Sequence, residues 1–379
     1  MDRRLRTDEF DYVLPEELIA KEPASKREGS RLMVLDRDAG TLVNKNFFNL
    51  PSYLKKGDVL VLNDTKVIPA RLSGIKTKGG SSKEGEKGAR VEALFLRRLT
   101  QNTWECLVQP AKRIKKGYEI EFDGLKGRVV EEPDTQRRII AFEPGADILS
   151  HLKSRGQVPL PPYINEKLGK DADKEELARR YQTVYAKAEG ASAAPTAGLH
   201  FTPELLKELE DKGVKVCYIT LHTGAGTFKP VFSEFVDEHT MFSEEYIIPE
   251  GTAYEIARVK LAASGVEPGQ GSSLRRAESS RVKGGRVVAV GTTVTRTLED
   301  CFLKHGKITE AKGEAGLFIY PPFKFNVVDA LITNFHFPRS TLLMMVSAFA
   351  GKEFILNAYR EAAEKKYRFF SFGDAMFIV

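Results

Sequence analysis

Three histidines stand where an imidazole could move protons. His200 lies near the end of Ser192-Ala193-Ala194-Pro195-Thr196-Ala197-Gly198-Leu199-His200-Phe201-Thr202, a run too small and too punctuated to be core. Small residues let a backbone come close to a ligand, and the helix expected from Pro203 to Lys212 offers free N–H groups at its start. His222 opens His222-Thr223-Gly224 after a short apolar run, and His336 closes Asn334-Phe335-His336. Histidine titrates near neutral pH and suits acid–base work, yet a lone histidine is more often structural; both readings stand for each. No two have a ligand spacing such as H-x-x-x-H, and Cys106, Cys217 and Cys301 are few and far apart. Neither a metal site nor a disulfide framework is expected.

Other polar clusters follow apolar runs. In Asn63-Asp64-Thr65-Lys66-Val67-Ile68-Pro69-Ala70-Arg71, Asp64 and Thr65 suit ribose hydroxyls or an amine, and Arg71 suits a carboxylate or phosphate. The alternative is an Asx-type turn. Gly224 and Gly226 form a G-x-G that lacks the third glycine and the following helix of a dinucleotide fingerprint. Thr292 or Thr293 can cap a helix on which Arg296 and Glu299, three apart, share a face. Arg296 is then an anion contact or half of a surface ion pair. Arg97-Arg98, the loop Lys112-Arg113-Ile114-Lys115-Lys116 and Arg137-Arg138 are basic, as phosphate contacts or as a solvated face. Asp374 follows a glycine inside the aromatic run 367–376.

These groups need elements to position them. Residues 58–62, 216–222, 286–290 and 330–333 read as buried strands, each with a polar cluster at its C-terminal end. Helical patterns cover 203–212, 252–263, 294–305 and 341–366, the last broken at Gly351. Ligands of α/β domains lie beyond the carboxyl ends of the strands, so the four clusters are expected to converge. Between 90 and 143 only strand patterns occur, with a turn at 100–102 and a hairpin signal at Asp123-Gly124. The expected fold class is α/β: a large mixed α/β, barrel-like domain, 1–69 and 156–379, with a small antiparallel β-barrel domain, 70–155, inserted in it. Residues 76–88 and 264–285 read as loose insertions.

Composition bounds the function. The 379 residues allow two domains, with 42% hydrophobic and 29% charged residues as in ordinary soluble proteins. No apolar run approaches the roughly 20 residues of a membrane span. The charged N-terminus lacks a signal-peptide core, and the sparse cysteines fit a reducing cytoplasm. A net charge of +6 permits a nucleic-acid partner without requiring one.

Taken together the motifs resemble one family, the S-adenosylmethionine:tRNA ribosyltransferase-isomerases of queuosine biosynthesis. The resemblance rests on Asn63 to Arg71, Pro159 to Ile164, Tyr181 to Ala186, Ala193 to Phe201, Thr220 to His222, Gly224 to Phe228, Val290 to Glu299, Thr333 to His336, Ser340 to Phe349 and Tyr367 to Met376. It spans nearly the whole chain. Four features depart from the family pattern: Ala191 precedes Ser192, Phe242 stands where histidine is common, Pro322 replaces a glycine, and 264–285 is long.

The resemblance implies transfer of the ribosyl group of S-adenosylmethionine to the aminomethyl group of a 7-deazaguanine base in the tRNA anticodon. The ribosyl group rearranges to an epoxycyclopentanediol, adenine and methionine leave, and epoxyqueuosine-tRNA results. S-adenosylmethionine is consumed as a co-substrate, so no separate cofactor is expected. His200, His222 and His336 become acid–base candidates, with Asp64 and Asp374 orienting them or the substrate amine. Arg71 or Arg296 would hold the methionine carboxylate. Thr196, Gly198, Thr223 and Gly226 would line the nucleoside pocket; Asn63, Thr65, Gly224, Thr292 and Asn334 are further substrate-binding candidates. Lys112, Arg113, Lys115 and Lys116 would grip the anticodon stem-loop. The protein is expected to act as a cytoplasmic monomer, away from membranes. An S-adenosylmethionine-dependent RNA methyltransferase would need a glycine-rich loop after its first strand, which is missing. A non-catalytic RNA-binding protein would leave the strand-end clusters unexplained.

Overall fold

The apolar runs read from the sequence become neighbouring strands. Lys215–Leu221, Val59–Asn63, Val287–Val290 and Ala330–Asn334 lie side by side and all parallel. Their polar C-terminal clusters therefore fall at one end of one sheet. Both faces of these strands are covered, which explains their lack of hydrophobic alternation. Val59, Val61, Ala289 and Leu331 pack against the helices Glu250–Ser264, Thr292–His305 and Thr341–Ala350 through Ile256, Leu298 and Leu343. Leu60, Leu62, Val288 and Ile332 face Leu205 and Leu209 of helix Pro203–Asp211, with Phe47 and Leu50.

Among the described residues the full sheet has nine strands. Ala311–Ala315 and Glu244–Ile248 extend it antiparallel beyond Lys215–Leu221. On the other side follow Ala375–Ile378, Arg31–Asp36 and Thr41–Asn46. Ala375–Ile378 runs antiparallel to Ala330–Asn334 and parallel to Arg31–Asp36. The N-terminal ends of those two strands thus join the same end of the sheet, and bring Asp374 and Ser30 with them.

The computed structural model describes residues 4–78, 88–165, 174–224, 231–241, 243–264 and 284–379. Gly226, Phe242 and most of both expected insertions lie outside the described residues. The chain divides into two compact units: Met1–Thr65 with Pro162–Ala188 and Pro195–Val379, and Lys66–Pro161 with Glu189–Ala194. Residues 189–194 thus group with the second unit.

Local chemistry sets the boundaries. Thr202 caps helix Pro203–Asp211, its hydroxyl accepting from the Leu205 N–H at 3.1 Å, with Pro203 in the first turn. Ser340 caps Thr341–Ala350 in the same way. Gly351, at φ +90°, separates that helix from Lys352–Glu364, which departs at 115°. Among the described residues no single helix is long and apolar enough to cross a membrane.

The second unit is a closed antiparallel barrel in the order Arg137–Phe142, Thr103–Gln109, Arg90–Thr100, Arg71–Lys78, Glu119–Phe122 and Leu125–Glu131. Phe95, Trp104, Phe122, Phe142 and Ile140 fill it. Asp123 and Gly124 both have positive φ, as the tight hairpin joining Phe122 to Leu125 requires.

Candidate active site

Two clusters lie at the C-terminal end of the parallel strands, and a third reaches back from there. The first surrounds His222. Thr65 Oγ1 is 2.9 Å from His222 Nδ1, and the same hydroxyl donates to the Ala188 carbonyl at 3.4 Å. Thr65 therefore accepts from Nδ1–H, which leaves the Nε2 lone pair as the basic position. Burial pushes the His222 imidazole below its ordinary range, while Glu245 and Asp64 oppose the shift. Asp64 accepts from the Thr220 hydroxyl at 2.6 Å and lines an open cleft of about 760 Å³ with Tyr185, Lys187, Tyr218 and Tyr254. Asn63 is spent within the fold: its amide joins Leu221 N and O, and its oxygen also accepts from the Thr65 N–H.

The second cluster surrounds His200. Asn334 Nδ2 approaches His200 Nε2 at 3.2 Å, and Ser30 Oγ approaches Nδ1 at 2.7 Å while also reaching the Arg27 carbonyl. The consistent assignment puts the proton on Nδ1, so both ring nitrogens are engaged. Phe47 stacks on the ring at 4.9 Å. Burial, aided by Arg27 and Arg368, lowers the His200 pKa to about 3, so the ring is neutral at pH 7. Arg27 ties the turn Thr196–His200 down by donating to the carbonyls of Leu199 and Gln182 at 2.9 Å each. Gly198 is demanded by packing, since a Cβ there would sit 2.1 Å from the Tyr185 hydroxyl. Asn334 Oδ1 is buried without a hydrogen-bond partner among the described residues. Asp374 is clamped by the N–H groups of Arg31 and Arg368 at 2.8 Å each and by Arg31 Nε at 3.2 Å.

The third cluster is at helix Thr292–His305. Arg296, 3% exposed, pairs with Glu244, and Glu244 Oε1 accepts from the Gly224 N–H at 2.7 Å. Burial lowers the Arg296 pKa to about 10, against the influence of Asp300. Arg296 lines a narrow slot with Met241, Thr292, Thr293, Phe318 and Met345. Of the two readings of Arg296, the surface pair with Glu299 does not form. Glu299 is fully buried and accepts from three consecutive backbone N–H groups, Asn326, Val327 and Val328, at 2.9, 2.9 and 3.0 Å. The shared face points inward, where the nearest donors are main-chain.

His336 stands apart. Its Nε2 lies 2.8 Å from Thr333 Oγ1, its N–H donates to the Tyr359 hydroxyl, and its carbonyl accepts from Tyr12. Burial lowers its pKa to about 3. Thr223 is buried, Gly224 and Thr196 partly so. Glu244, Thr183 and Tyr185 escaped the residue-by-residue reading. Thr183 Oγ1 and Tyr185 Oη are buried without a partner among the described residues, against Gly198.

In the barrel unit Arg71 lies 3.6 Å from Glu92. Lys112, Arg113, Lys115 and Lys116 are exposed, with Lys115 3.4 Å from Glu132. Arg138 departs from the basic-surface reading: it is 1% exposed and donates to the carbonyls of Ala111, Ile114, Asp134 and Arg137. It holds the loop that carries the exposed cations. Arg137 pairs with Glu105 and Asp134, both at 2.6 Å. A hollow of about 1190 Å³ on this unit is lined by Thr77, Arg90, Glu92, Glu121 and Asp123, and contains none of the candidate catalytic, substrate-binding or RNA-binding residues. Among the described residues no three metal-ligating side chains come together.

Comparison with known proteins places these clusters in context. The model of the family described as queuosine biosynthesis protein matches residues 7–267 and 268–378. Over 377 residues the chain is 48% identical to the S-adenosylmethionine:tRNA ribosyltransferase-isomerase of Caldanaerobacter subterraneus subsp. tengcongensis, covering 99% of this chain and 100% of that one. The crystal structure of S-adenosylmethionine tRNA ribosyltransferase from Thermotoga maritima is 38% identical, with a TM-score of 0.51 over 98% of this chain and 100% of that one.

Proposed function

This chain belongs to the queuosine biosynthesis protein family, and from that premise we propose that it is an S-adenosylmethionine:tRNA ribosyltransferase-isomerase. The observation that carries the reading is the full-length match, at 48% identity, to a relative named for that reaction. In this reading the ribosyl group of S-adenosylmethionine passes to the aminomethyl group of the 7-deazaguanine base in the tRNA anticodon and rearranges to an epoxycyclopentanediol. Adenine and methionine leave. The donor is consumed, so no further cofactor is needed.

The chemistry starts with removal of a proton from the 5′ carbon, acidified by the adjacent sulfonium. His222 suits that role best of the three histidines. Its Nδ1 is tied to Thr65, its Nε2 is the basic nitrogen, and its lowered pKa keeps it unprotonated at pH 7. Asp64, close enough to bear on the His222 pKa, lines the cleft and suits an ammonium or hydroxyl of the substrate. His200 has both nitrogens engaged, and we assign it to holding Asn334, whose orphan Oδ1 is the group offered to a ligand. The His336 ring is engaged by the Thr333 hydroxyl and the Asp374 carboxylate by two main-chain N–H groups, and both serve the fold around the site. Of the two arginines considered for the methionine carboxylate, Arg296 already holds Glu244. The exposed Lys112, Arg113, Lys115 and Lys116 suit tRNA phosphates. A monomer in the cytoplasm, where the buried thiols stay reduced, completes the reading.

The test is incubation with S-adenosylmethionine and precursor tRNA, followed by analysis of the released small molecules. Adenine with methionine supports the ribosyltransferase. S-adenosylhomocysteine would instead indicate a methyltransferase, and absence of turnover a binding protein.

A further inference from the structure

We propose that Glu244 is a positioning residue for His222: it fastens the turn behind that histidine to Arg296 and so commits the guanidinium to the protein's own carboxylate. The proposal deepens the function proposed above and rests on it for the role of His222.

Three observations carry it. Glu244 opens the strand Glu244–Ile248, which pairs with Lys215–Leu221 in the register Thr220↔Ile247 and Leu221↔Tyr246. That register sets Glu244 beside the turn that follows His222. There Oε1 accepts from the Gly224 N–H at 2.7 Å, while the carboxylate pairs with Arg296 on helix Thr292–His305. Both side chains are nearly dry, at 5% exposure for Glu244 and 3% for Arg296. A buried pair like this is costly to split, because the survivor is an uncompensated charge. The Arg296 guanidinium faces the slot beside Thr292 and Thr293 with its charge already balanced. A second carboxylate there would have to compete with Glu244. The carboxylate thus joins the C-terminal ends of two parallel strands, through the turn after Leu221 and the helix after Val290, and fixes where His222 sits.

Two variants test this, read by steady-state adenine release and by hydrogen exchange of the Gly224 amide. Glu244→Ala removes the acceptor and strands Arg296. The double variant Glu244→Gln with Arg296→Met keeps an oxygen for Gly224 and leaves no lone charge. We expect Glu244→Ala to lower kcat at least tenfold, with the donor KM within threefold of wild type, and to speed Gly224 exchange at least tenfold. The double variant should restore kcat and the Gly224 protection to within threefold of wild type, with an unchanged donor KM. A donor KM raised tenfold in the double variant would show Arg296 engaging the donor, and a kcat within twofold of wild type in Glu244→Ala would show that the tie does not matter; either overturns the proposal. Should Glu244→Ala fail to fold, the double variant alone decides by the same KM and kcat limits. Wild-type protein that releases no adenine overturns the functional reading and the positioning role together, whereas unprotected Gly224 in an active wild type overturns the tie alone.

Discussion

Thr65 Oγ1 holds His222 by its Nδ1 at 2.9 Å and passes its own hydrogen to the Ala188 carbonyl. One hydroxyl therefore selects the tautomer of the histidine. Replacing His222 with Ala should lower kcat by about 10²–10⁴-fold, the usual weight of a general base. Thr65→Val, which keeps the shape and loses the acceptor, should lower kcat by roughly tenfold with little change in donor KM. Because burial lowers the His222 pKa, the acidic limb of the kcat/KM profile should fall below the ordinary histidine value of about 6.5. A limb at 7 or above would remove His222 from this role. Adenine release between pH 5 and 8 provides the measurement.

His200 and His336 govern stability against acid. Each has a folded pKa of about 3, held down chiefly by burial, against 6.5 when free. Above about pH 7.5 neither state takes up a proton there, so nothing is lost. As the pH falls from 6.5 toward 3 the unfolded chain gains protons that the folded chain refuses, and stability declines by about 1.4 kcal/mol per unit for each ring. At pH 5.5 the two together should cost about 3 kcal/mol. Urea melts of wild type and His200→Gln at pH 7.5, 6.5 and 5.5 separate one ring's share. The variant should lose roughly 1 kcal/mol less than wild type between the last two.

Glu299 makes a further prediction that opposes its surface-pair reading. Three backbone N–H groups converge on its carboxylate in the core. Glu299→Ala should destabilise the protein by about 3–5 kcal/mol, because buried donors lose a charged acceptor. An exposed ion pair would be worth under about 1 kcal/mol. Denaturant unfolding distinguishes the two.

Much of the fold was legible because burial leaves a simple signature. The strands covered on both faces read as unbroken apolar runs, and the polar residues ending each run mark one end of the sheet. Gly351 and the Thr202-Pro203 cap delimited helices for local steric reasons that need no tertiary context. The edge strand Glu244–Ile248 was not legible. Two glutamates lead it, and nothing local reveals that Glu244 turns inward to a cation fifty residues away. The spacing of Arg296 and Glu299 placed both on one helical face, but spacing cannot say whether that face meets water or main chain. Similarly, Asn63 and Asp374 look like ligand groups until their backbone partners are visible, and Arg138 looks like a surface cation until its four carbonyls are.

The exposed loop on the barrel should behave as a phosphate contact. Lys112 and Arg113 are exposed, whereas Lys115 pairs with Glu132. Lys112→Ala with Arg113→Ala should weaken tRNA binding and reduce the slope of log K against log salt by up to about 2. Turnover at saturating tRNA should change little. An unchanged slope would place the tRNA phosphates elsewhere. Filter binding between 50 and 200 mM salt reads it directly.

The strand Ala375–Ile378 wedges between Ala330–Asn334 and Arg31–Asp36, and pairs Leu32 with Ala375. The hairpin Arg31–Asn46 is made early during synthesis, yet its inner partner arrives more than three hundred residues later. Until then its edge carries unpaired backbone groups and a row of apolar side chains, a surface that invites mispairing. Closure of this end of the sheet is therefore a late event in the birth of the molecule. The Asp374 clamp on Arg31 and Arg368 forms only when that strand has docked, so the site end of the sheet cannot be complete before the body of the protein is.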